Sequence, residues 1–148
     1  MLTTTQDRPE EDAGLVLLDK NENIRAHAGF DEEGVLMALY SAKRKQVAEV
    51  REWQDGPRVA LFDEGGNVRA CLKVSESGAF AYLYSPNGQN VRLELHSSGL
   101  ASLVMQDTNG EPRLILATQT NEGPTLTFFK DDEVVWSTPR PAEAAPKS

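Results

Sequence analysis

Cysteine occurs once, at Cys71, so no disulfide can form within the chain and no CxxC metal or redox site exists. Aromatic residues make up only 7% of the 148 positions. Basic residues are outnumbered by acidic ones, 15 to 23, for a net charge of −8. That balance argues against nucleic acid as a partner, since phosphate neutralisation needs clustered Lys and Arg. No apolar run approaches the ~20 residues of a membrane-crossing helix. The stretch from Met1 to Arg8 holds no apolar signal-peptide centre. Phosphate-binding loops, dinucleotide fingerprints, nucleophile elbows and HExxH helices are all missing. The expectation is an acidic, cytoplasmic, non-catalytic single domain without cofactor or metal.

What is present is periodicity. Asp19, Asp63 and Asp107 are spaced by 44 residues, and so are Arg25, Arg69 and Arg113. Ile24, Val68 and Pro112 keep the same step. The intervening segments follow suit: Leu39-Tyr40-Ser41 returns as Leu83-Tyr84-Ser85, and Val47, Val91 and Val135 hold the register. Interleaving both sets halves the period to about 22 residues, giving six units between Leu15 and about Pro139.

Each unit has one grammar. An alternating apolar run such as Val59-Ala60-Leu61-Phe62 reads as a strand. A polar turn follows, as in Asp63-Glu64-Gly65-Gly66-Asn67, where glycine supplies the positive φ that hairpins need. A second alternating run, Val68 to Val74 or Val91 to His96, returns the chain. The spacing predicts twelve short strands in six hairpins. Residues 32–53 are the exception in composition, being rich in Ala, Lys, Arg and Glu, which favours helix. The register with Tyr82-Leu83-Tyr84-Ser85 points instead to strand. Residues 1–14 and 140–148 lie outside the repeat, the first acidic and the second a Pro/Ala tail, and both read as disordered segments.

A lone hairpin is marginal in water, so six must share a core and protect their edges. Closure into a shallow pseudo-symmetric barrel satisfies both spacings, and a β-trefoil is the alternative. The pattern Leu-x-Leu-x-Asp-x-x-Gly-x-x-Arg, clearest from Val59 to Arg69, resembles the tandem-hairpin repeat of many bacterial proteins. Unit length and number are similar to those of the β-flower group, shallow barrels of hairpin petals distantly similar to the Tubby C-terminal domain. The resemblance covers about residues 15–139. It implies a pseudo-symmetric barrel and binding of anionic phosphoinositide headgroups by basic side chains.

Several residue sets could carry chemistry. Asp and Arg six apart, across one turn, form either a rim of guanidinium groups with Arg92 as a fourth member or a set of turn clasps. Repetition favours the clasp, because a scaffold needs equal residues and a site needs unequal ones. Asp19-Lys20-Asn21-Glu22-Asn23 matches half a calcium loop, but Ile24 and Phe30 stand where that loop requires Gly and Glu. His27 and His96 are isolated within returning strands, and Cys71 reads as a small buried hydrophobe. Lys43-Arg44-Lys45, with Arg51 nearby, is the one basic run and reads as a solvated turn. Tyr82 and Tyr84 share a face, and Tyr40 is the counterpart of Tyr84, so these tyrosines could line a surface for an apolar or sugar-like ligand.

The function this supports is a non-catalytic binding or scaffold module for a protein or small ligand, with self-association open to it. Tyr40, Tyr82, Tyr84, Arg25, Arg69, Arg92 and Arg113 are its candidate ligand-binding residues. The alternative is anionic lipid headgroup binding at a membrane surface through the repeated arginines.

Overall fold

Alternating apolar residues, punctuated every ten or so positions by turn formers, leave the backbone few options besides antiparallel strands. The computed structural model describes residues 2–4, 14–31, 34–43, 45–119 and 123–138, and no helix occurs among them. The chain divides into two units, residues 1–76 and 77–148.

The first unit contains β1 (Leu2–Thr4), β2 (Leu15–Leu18), β3 (Ile24–Asp31), β4 (Gly34–Tyr40), β5 (Gln46–Trp53), β6 (Gly56–Phe62) and β7 (Val68–Ser75). Each pairs antiparallel with the next in the chain. The second contains β8 (Gly78–Tyr84), β9 (Asn90–His96), β10 (Ala101–Gln106), β11 (Pro112–Gln119), β12 (Gly123–Lys130) and β13 (Glu133–Ser137). These pair consecutively as well. The segment with helical composition is therefore the strands β4 and β5. Hydrogen bonding to neighbours on both sides overrides intrinsic propensity there.

Two features differ from the sequence reading. Leu2–Thr4, placed there outside the repeat, pairs with Leu15–Leu17. The expected closure is also not drawn in either unit. Among the described residues no pairing returns a unit's last strand to its first, and every pairing within a unit joins chain neighbours. Each unit is thus an open meander rather than a closed barrel or a trefoil. Consecutive hairpins can satisfy all but their outermost backbone groups this way, without long-range pairing. The tail 140–148 and most of residues 1–14 lie outside the described residues.

The register of the first unit has a simple rule. His27, Ala38, Glu49, Ala60 and Cys71 stand opposite one another in a row across β3 to β7, each 11 residues after the last. Side chains in such a row share a face. That face also carries Leu36, Arg51, Trp53, Arg58 and Lys73. It includes the most enclosed apolar residues of the unit, Leu36, Ala38 and Ala60. The opposite face carries Leu15, Leu17, Phe30, Val35, Met37, Leu39, Val50, Val59, Leu61, Leu72 and Val74, and all of them are exposed.

The turns after β2, β6 and β11's predecessor β10 share one construction. The Asp63 amide donates to Asn67 O at 3.0 Å and the Gly66 amide to Asp63 O at 3.0 Å, with Gly66 at φ 85°. Asp19 and Asp107 close their loops with the same two bonds. This is a type I turn followed by one left-handed residue, a common hairpin connection. At the other end of the strands the chain comes closer to itself. A Cβ on Gly56 would lie 2.0 Å from Val74 O, and one on Gly78 2.1 Å from Leu95 O. Only glycine fits either place.

Candidate functional site

The repeated Asp/Arg pairs are built into these turns. Asp63 Oδ1 accepts the amides of Gly65 at 2.7 Å and Asn67 at 3.0 Å, and its Oδ2 accepts Arg69 Nε at 2.6 Å. Asp107 repeats this with Asn109 and Glu111, and Arg113 Nε donates to its Oδ2 at 2.9 Å. Asp19 takes the amides of Asn21 and Asn23, while Arg25 Nε stands 3.8 Å from its Oδ2. The amide of Asn67, with the Arg69 guanidinium, holds the Asp63 carboxyl down to about 2. Asp19 is lowered chiefly by the Asn23 amide and Asp107 chiefly by the Arg113 guanidinium. Each arginine is thus drawn onto its own turn's carboxylate. The four guanidinium groups do not share one unit: Arg25 and Arg69 belong to the first, Arg92 and Arg113 to the second.

The tyrosines are likewise divided. Tyr40 ends β4 in the first unit. In the second, Phe80, Tyr82 and Tyr84 alternate along one face of β8 and stack in sequence, with centroids 6.1 Å apart at each step. His96 meets Phe80 edge-on at 5.5 Å. Beside this ladder lie β9 and β10. Glu94 accepts from Ser102 Oγ at 3.2 Å, faces His96 Nε2 at 3.4 Å and pairs with Arg92 Nη1 at 3.4 Å. A Ser, a His and a carboxylate therefore meet, but the carboxylate stands between the other two. A hydrolase needs the imidazole next to the hydroxyl, so this order does not activate Ser102 as a nucleophile.

Tyr84 also lines a hollow of about 410 Å³ in the second unit, with Leu83, Val91, Met105, Gln89, Asn90 and Gln106 among its walls. It is mainly apolar with a few polar groups, the usual make-up of a small-ligand site. Asn90, one of the lining residues, has a buried Oδ1 with no hydrogen-bond partner among the described residues.

Two polar clusters escape the sequence reading. One is the Glu94 group just described. The other centres on Glu49, 5% exposed between Ala38 and Ala60. Arg58 Nη2 donates to its Oε1 at 2.5 Å and Gln46 Nε2 to its Oε2 at 2.6 Å. The Arg58 guanidinium lies 4.0 Å from the Trp53 ring centroid, a cation–π contact. A hollow of about 430 Å³ borders this group, lined by Lys45, Gln46, Glu49, Arg58, Phe62, Gly65 and Gly66. Strand pairing sets Glu49 opposite two alanines, Ala38 and Ala60, a juxtaposition that the 44- and 22-residue periods do not reveal. Burial pushes the Cys71 thiol up, in keeping with a packing role. Of the basic run, Lys43 pairs with Glu64 at 3.3 Å, and Arg44 lies outside the described residues.

No group of three or more potential metal ligands occurs among the described residues, and no helix there is long and apolar enough to cross a membrane. No protein-family model matches the sequence, and no curated protein compared with it is similar to it.

Proposed function

We propose that this chain is a non-catalytic binding or scaffold module built from tandem hairpin repeats. One observation carries the reading. The charged residues that recur are paired within their own turns and strand faces, while the large apolar and aromatic side chains are left at the surface. Such a surface suits contact with a partner. The Tyr84 hollow is where a small amphipathic ligand would sit. Headgroup binding is not adopted, because Asp19, Asp63 and Asp107 already stand against the arginines it would need.

Native mass spectrometry of the purified chain tests this. A persistent added mass that is lost in Tyr84→Ala, or a discrete oligomer, is the expected result. A bare monomer at every concentration would overturn both self-association and the ligand site at Tyr84, leaving only recognition of a protein partner.

A further inference from the structure

The apolar face of the first unit needs an occupant. Met37, Val50, Val59 and Leu72 form a row across four strands and are 40% to 59% exposed. Phe30, at 58%, extends the patch at its margin. The open parts of the eleven large side chains on this face, each 38% to 59% exposed, amount to on the order of 900 Å². A stable interface of standard size removes about 800 Å² from each partner. The patch is therefore large enough for one such contact.

Its chemistry selects among occupants. Glu52 is the only charged side chain placed on this face among the described residues, and it lies at one end, opposite Pro57. Across a two-fold axis a residue faces its own copy only near the axis, and the middle of this patch, at Val50 and Val59, carries no charge that would meet its own sign there. The segments 5–13 and 139–148 bring no large apolar side chain to it, since they contain no Leu, Ile, Val, Met or aromatic residue. Lipid fits poorly. Val35, Met37 and Leu39 span four residue steps, about 13 Å of strand, against the ~25 Å apolar band of a membrane barrel.

We propose that two copies of this chain pack face to face through the apolar side of β3 to β7, as a symmetric dimer. This deepens the scaffold reading above and rests on it. The test is sedimentation of the full chain through a dilution series, for wild type, Met37→Glu, Val59→Lys and the second-unit control Leu93→Lys. Wild type and the control sediment as dimers. Met37→Glu and Val59→Lys raise the dissociation constant by about a hundredfold or more, because each buries an unpaired charge. Far-ultraviolet circular dichroism reports whether each variant keeps its strands. Should one unfold, peroxide oxidation of wild-type Met37 reads the same face, with slower oxidation at higher protein concentration expected.

A wild type that stays monomeric, a dimer that survives both substitutions, or Met37 oxidation independent of concentration would each overturn the proposal. So would a monomer that binds phosphatidylcholine vesicles and loses binding on Val59→Lys. A monomer that still carries a ligand mass sinks the dimer and leaves the binding-module reading standing.

Discussion

The two faces of the first unit invert the usual relation between charge and burial. One face holds Glu49, Arg51, Arg58, Lys73 and His27, and it is the more enclosed. The other holds Phe30, Val35, Met37, Val50, Leu61 and Leu72, and it is open. The reason lies in side-chain length. Arg58 lies over Trp53 and reaches Glu49, so long stems lie across the small Ala38 and Ala60. Branched and apolar side chains on the other face are left about half exposed. Alternation thus marks two faces, but cover comes from whatever lies across them.

The largest test of this contrast is Glu49→Ala. Removing the carboxylate leaves Arg58 and Gln46 without their shared acceptor beneath Trp53, and we expect a loss of about 3 kcal/mol in urea unfolding. A loss below that of an ordinary surface substitution would mean the polar face is not held by this group. Next comes the strand end. Gly56→Ala drives a Cβ into the Val74 carbonyl and should cost about 2–3 kcal/mol. Gly66→Ala, where the Cβ meets nothing within 4 Å, should cost only about 1 kcal/mol, the price of its left-handed backbone. Equal losses would show that close approach is not what separates the two turns.

The turn clasps give a pH signature. The Asp63 carboxyl sits at about 2 in the folded chain and near 3.9 when unfolded. Its contribution is complete above about pH 4 and is lost as pH falls from about 4 to 2. Wild type should lose urea resistance across that window, and Asp63→Asn should flatten the slope by up to about one proton. An unchanged slope would remove the clasp as its cause. The smallest effect is expected on the open face. Val59→Thr should shift the stability of the folded subunit by no more than about 0.5 kcal/mol, measured below the concentration at which copies associate.

Much of this architecture was readable from residues. Asp63, Gly66 and Arg69 announced the turn and its clasp, because a hairpin of this kind needs an acceptor at its start and a left-handed residue three positions on. Residues 34–53 were harder. Their composition favours helix, and only the register with Tyr82 to Ser85 pointed to β4 and β5. Closure was the point of failure. Consecutive pairing is the same in an open meander and in a closed ring, which differ only at the outermost strands, so spacing alone does not distinguish them. The Glu49 and Glu94 clusters were hidden for a related reason, since their members meet across strands rather than along one segment.

The sequence by itself determined the strands and their turns, because these depend on local alternation and on turn chemistry within a few residues. Which face is enclosed was decided only by tertiary structure. So were the placement of Arg25 and Arg69 in one unit with Arg92 and Arg113 in the other, the stacking of Phe80, Tyr82 and Tyr84, and the enclosure of Asn90. Those outcomes depend on which long side chains lie across neighbouring strands, and that is a property of the assembled sheet rather than of any one segment.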